Sequence, residues 1–102
     1  MSNNISQNRM QVIVNNLFAE LKKAELIKDN DTIDLSSTSE QSAYKMTKPF
    51  FDLMTENLSN HITEEQFYDF LTEEIGLTLS EFNYLEQINV IEKPEFIMEA
   101  ER

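Results

Sequence analysis

The sequence predicts an all-α fold, an irregular bundle of four to five short helices, and three observations carry that expectation. One glycine and two prolines in 102 residues are too few for the many turns of a β-domain of this length. Apolar residues recur at the three-and-four spacing of a helix stripe through most of the chain. Two stretches, Ile62-Thr63-Glu64-Glu65-Gln66-Phe67 and Leu77-Thr78-Leu79-Ser80-Glu81-Phe82, repeat one helix-start signal. In each, the Thr hydroxyl is placed to accept from the amide three residues on, and the Gln or Glu there reaches back to the Thr amide. The flanking apolar residues, Ile62 and Leu77, are placed to close onto Phe67 and Phe82.

Taken in order, residues 5–27 form the clearest amphipathic helix. Met10, Ile13, Val14, Leu17, Phe18, Leu21 and Ala24 make one stripe, with Asn4 or Ser6 as N-cap. Leu26 and Ile27 rotate off the stripe and are expected to pack on the following loop. Residues 28–36 read as that loop. Its aspartates, Asp29, Asp31 and Asp34, do not make a calcium loop. Counting from Asp29 places Ile33 at position 5 and Asp34 at position 6, where a third oxygen ligand and a glycine are needed. Asx turns are the expectation instead.

Ser37-Thr38-Ser39-Glu40 reads as another capping box opening a second helix, continued by Ala43, Met46, Phe50, Leu53, Met54 and Leu58. Pro49 interrupts it. Either Pro49 kinks one long helix or Thr47 caps a new one with Pro49 in its first turn, and a break near Thr47–Pro49 is the expectation. Phe50 and Phe51 project about 100° apart, so burying both needs a helix sandwiched between two others or a subunit interface. A third helix, Glu64 to Ile75, buries Phe67, Phe70, Leu71 and Ile75. Gly76 ends it in the left-handed conformation, with Leu77 folding back on Leu71. A fourth runs from Leu79 to about Ile91. Pro94 is placed to open a last short helix with Phe96, Ile97 and Met98 as contacts.

These elements make one helical domain over residues 1–102, with residues 1–4 a loose leader. The chain has no cysteine, so disulfides, thiolate metal sites and thiol nucleophiles are excluded. No apolar run approaches 18 residues and no signal peptide is apparent, which fits a cytoplasmic location. His61 is the only histidine and the single glycine rules out a phosphate-cradling loop. Adjacent carboxylates such as Glu73 and Glu74 diverge on a helix, so no acid–base pair stands out. A non-catalytic protein without cofactor or metal is expected.

Charge is the one lopsided property. The net charge is −11, and residues 1–50 sum to zero. Residues 51–102 hold thirteen acids against Lys93 and Arg102. The string from Ile75 to Glu81 resembles helix-turn-helix sequences of bacterial regulators, but the helix that would read DNA carries Glu81 and Glu86 and no Lys or Arg. Direct nucleic-acid binding is therefore disfavoured. The expected activity is docking on a basic protein surface, as adaptor, regulator or inhibitor. The docking residues would be Asp52, Glu56, Glu65, Asp69, Glu73, Glu81 and Glu86, with whichever of Phe50, Phe51 or Tyr68 the core leaves uncovered. Carboxylates at such intervals can imitate a phosphate backbone, as phage and mobile-element antagonists do, which would make the partner a nucleic-acid-binding protein. The alternative is a self-associating assembly module that forms a homodimer or larger oligomer.

Overall fold

The structure, a computed structural model, describes residues 5–97. Among them the fold is all-α. Helix α1 (Gln7–Lys23), α2 (Glu40–Leu58), α3 (Glu64–Asp69) and α4 (Leu79–Gln87) follow in order, and α3 runs directly into a π-helical turn, Phe70–Ile75. The expected leader at residues 1–4, the Asn4 cap and the Met98 contact lie outside the described residues. Helix α1 is the centre of the packing, touching both α2 and the π turn. Its stripe of Met10, Ile13, Val14, Leu17, Phe18 and Leu21 is buried, as the spacing predicts, but Ala24, expected to extend it, is the exposed C-cap.

Side-chain caps set most helix starts. Ser6 caps α1 by accepting from the Arg9 amide. Thr63 with Gln66, and Thr78 with Glu81, form the two expected capping boxes. Helix α2 departs from the reading by two residues. Its cap is Ser39, which accepts from the Ser42 amide, and not Ser37.

The helix ends show more than the sequence does. Gly76 stops the π turn at φ +84°, and the Leu77 amide donates to the Leu71 carbonyl at 2.9 Å, the return predicted there. Helix α1 stops at Lys23, short of Ile27, because Glu25 turns left-handed at φ 61°. The Leu26 amide then reaches the Leu21 carbonyl and the Glu25 amide reaches Lys22, closing a Schellman motif. Asn89, at φ 67°, does the same for α4, with Val90 donating to Leu85 and Asn89 to Glu86. That fold-back buries Val90 and Ile91 instead of prolonging α4 to Ile91.

Helix α2 is unbroken, contrary to the expected stop at Pro49. Thr47 is buried and donates its hydroxyl to the Ala43 carbonyl within the helix, so it is not a cap. Pro49 lies on the exposed side, where the Lys45 carbonyl that lacks its amide partner can turn to water. Phe50 and Phe51 are both accommodated within the chain, at different depths. Phe51 is in the core, and Phe50 packs on Phe18 of α1 with ring centroids 4.6 Å apart.

No helix begins at Pro94. Residues 92–97 form no helix or strand and lie as a strap against the start of α3. The Ile97 amide donates to the Ile62 carbonyl at 3.0 Å, and the Asn60 amide donates to the Glu95 carbonyl at 2.5 Å. The loop before α2 is held from α1. The Gln11 side chain bonds the Ile33 carbonyl and the Leu35 amide, and Gln7 bonds the Leu35 carbonyl. Asp34 makes the expected Asx turn, accepting from the Ser36 amide, whereas Asp31 accepts from the Lys28 amide three residues before it and so closes a different turn. The Ser36 amide holds the Asp34 carboxyl below its ordinary range.

Candidate functional site

The outer side of α3 and the π turn presents Glu65, Asp69 and Glu73, all exposed. On a pure α-helix, residues four apart drift round the axis by about 40° per step. The π turn takes more residues per revolution, so the step from Asp69 to Glu73 recovers part of that drift. By that geometry the three carboxylates fall close to one row, with Glu65 and Asp69 roughly 6 Å apart along the axis by the α-helical rise. Thr72 closes the widened backbone on this side by donating its hydroxyl to the carbonyls of Tyr68 and Asp69. None of the described ion pairs includes Glu56, Glu65, Asp69 or Glu73.

The remaining acidic candidates are engaged inside the molecule. Glu81 meets Arg9 of α1 in a two-pronged pair, Nε to Oε2 at 2.7 Å and Nη2 to Oε1 at 2.9 Å. The same guanidinium donates to the Gly76 carbonyl at 2.6 Å. The Arg9 hydrogen bond holds the Glu81 carboxyl below its ordinary value, against the opposing effect of burial. Asp52 lies one turn from Lys48, whose ammonium is 3.3 Å away and also reaches Glu92 at 3.5 Å. Burial works against the Lys48 charge, and the two carboxylates outweigh it and raise its pKa. Glu86 shares Lys93 with Glu64, at 3.8 and 3.5 Å. Of the seven acids expected to dock a partner, the structure leaves four without a cation.

The aromatic candidates are corrected in the same way. Phe51 is 1% exposed, so it is a core residue and not part of a docking surface. Adjacent residues on α2 face different layers, and it is Phe50 that lies nearer the surface, half-buried against Phe18. Tyr68 is also half-buried. Its ring meets Phe82 edge-on at 5.2 Å, its hydroxyl donates to Glu64 at 3.3 Å, and the Lys93 ammonium sits 5.6 Å from its ring centre. Phe96 of the strap packs on the neighbouring Phe67, with ring centres 5.6 Å apart.

The sequence pattern hides this cluster because Pro94 and Phe96 read as a separate short helix and not as a strap lying on α3. A lone cation followed by Pro and an aromatic, in an otherwise acidic half, was the available signal. A second feature, a cleft of about 190 Å³, opens between α2 and α4, lined by Gln41, Tyr44, Lys45, Lys48, Tyr84, Ile88 and Val90. Tyr44 closes its floor, donating to the Ile5 carbonyl at 2.7 Å and accepting from the Ile5 amide. Burial pushes the Tyr44 hydroxyl up to about 12. His61 is exposed beside the strap. Among the described residues no group of three or more His, Cys, Asp or Glu is arranged to hold a metal ion, and no helix is long and apolar enough to cross a membrane. Comparison of the chain with protein-family models, with curated proteins and with solved structures finds no match.

Proposed function

We propose that this protein is a non-catalytic acidic binding module that docks on a basic protein surface, as adaptor, regulator or inhibitor. The observation that carries the reading is the row Glu65, Asp69 and Glu73. These carboxylates stay free of cations while their neighbours Glu64, Glu81 and Glu86 are each paired within the molecule. A helix face of unpaired like charge is unfavourable by itself, and a cationic partner relieves it. Glu56, exposed near the end of α2, adds a fourth unpaired acid. The regular spacing favours a partner that ordinarily holds nucleic-acid phosphates.

The test is association with the native host's proteins at about 0.05 and about 0.5 M salt, where the screening length falls several-fold. Binding is expected to collapse at high salt and in the variant E65Q/D69N/E73Q. Retention that ignores both the salt and the variant overturns the reading.

Self-association is the second reading, favoured by the outer face of α1. Asn8, Val12, Asn15 and Ala19 are exposed there and uncharged, and Val12 is 46% exposed. Two copies can approach on that face without opposing carboxylates. A salt-resistant dimer in light scattering, abolished by Val12→Lys, would move the assignment to this reading.

A further inference from the structure

The strap at residues 92–97 lies on the α3–α4 face much as a bound peptide would. Its cation, Lys93, reaches Glu64 of α3 and Glu86 of α4 and stands over the Tyr68 ring. Three residues on, Phe96 packs on Phe67, which also meets Phe82 edge-on with centroids 6.4 Å apart. Two backbone bonds, one from Asn60 to Glu95 and one from Ile97 to Ile62, fix its course. The receiving surface thus has two acidic posts, an aromatic floor and edge backbone groups.

The strap's own hold is light. Lys93, Glu95 and Ile97 are exposed, Phe96 is only half-buried, and the three ion pairs, Glu92 with Lys48 and Lys93 with Glu64 and Glu86, span 3.5, 3.5 and 3.8 Å. Exposed pairs of this kind contribute little to stability. The chain therefore carries a weak ligand at high effective concentration on a surface that matches it in charge and in ring contacts.

We infer that the Tyr68–Phe67 groove between Glu64 and Glu86 is a docking site for an extended partner segment that carries a Lys or Arg three residues before an aromatic side chain, and that the strap occupies it until such a segment displaces it. The inference deepens the docking reading and rests on it for the class of partner. The occupant follows from charge and ring complementarity, since the strap shows which side chains the groove takes. Outward-facing Glu65, Asp69 and Glu73 then steer a basic partner toward a groove one helix face away.

The experiment uses the full chain with Phe96→Trp, which gives the protein its only tryptophan. Titration with the peptide GKPGFG is expected to shift its emission to the red with a saturable curve, as the strap indole moves into water. GEPGFG and GKPGAG are expected to leave it unchanged. In a second arm, Lys93→Glu loosens the strap without touching the groove. It should bind a labelled GKPGFG about tenfold more tightly than the parent, because the competing segment is largely removed. Circular dichroism checks that the variant keeps its helices, and Lys93→Gln replaces it if it does not.

No red shift at millimolar peptide, a shift indifferent to the peptide's Lys or Phe, or no gain on loosening the strap overturns the proposal. So does a concentration-dependent dimer in the loosened variant, because the groove would then take the strap of a second copy. The variant E65Q/D69N/E73Q separates the two claims. If it keeps the red shift while host-protein binding proves salt-insensitive, the docking row fails and the groove stands. If host-protein binding keeps its salt dependence with no red shift anywhere, the groove alone fails.

Discussion

At the residue scale, Arg9 and Glu81 show how one pair can join distant parts of the chain. Glu81 already works locally, closing the capping box at Thr78. Arg9 then binds both of its oxygens and the Gly76 carbonyl from across 67 to 72 residues of sequence. Because the Glu81 carboxyl is held below the ordinary value of 4.5, its contribution to stability is complete above that pH. It is lost as the pH falls through the lowered folded value. Glu81→Gln keeps the capping oxygen and loses the charge, and is expected to lower stability by about 1–2 kcal/mol at pH 7. Urea unfolding at several pH values checks this: the gap between parent and variant should shrink toward pH 3. The capping role was legible in the sequence, since it needs only neighbours three residues apart. The Arg9 pairing was not, because no local pattern says which of thirteen acids a cation on another helix will meet. For the same reason Glu81 was read as an outward-facing docking residue.

At the element scale, helix starts were legible and several helix stops were not. Ser, Thr and Gly carry their preference in their own chemistry, so Ser6, Thr63, Thr78 and Gly76 could be placed from local pattern. Glu25 turns left-handed because Leu26 gains burial by folding back, a tertiary gain that overrides local propensity, whereas Asn89 is a residue type that takes this conformation readily and so marks the end of α4 in the sequence itself. Pro49 is the converse case. Its local signal reads as a break, yet α2 continues because Phe51 and Met54 on the far side are anchored in the core. The helix therefore tolerates a missing amide on its wet side. Pro49→Ala restores that amide and is expected to stabilise the protein by about 1–3 kcal/mol. A thermal melt should show a rise of several degrees, and a fall would mean that the proline shapes a bend the core requires.

At the scale of the whole molecule, the lopsided charge survives folding in reduced form. Arg9 and Lys48 from the front half cross over to Glu81, Asp52 and Glu92, and Lys93 bridges Glu64 to Glu86. The row on α3 remains. Since like charges four apart oppose each other, E65Q/D69N/E73Q is expected to gain about 0.5–1 kcal/mol of stability, with most of the gain vanishing when about 1 M salt screens the parent. Melts at low and high salt check it. Unchanged stability at low salt would mean that the row carries no repulsion for a partner to relieve. Helix α1 has a consequence of another kind. Its side chains grip the Ile33–Leu35 loop, the Ile75 and Gly76 carbonyls and Glu81, and Ile5 just before it is clasped by Tyr44. On a ribosome α1 emerges before the elements that cover it, so its apolar stripe stays uncovered until residues as far along as Glu81 are translated. Closure is then a late event with long loops to shut, which slows folding and makes nascent chains of this protein natural clients for chaperones.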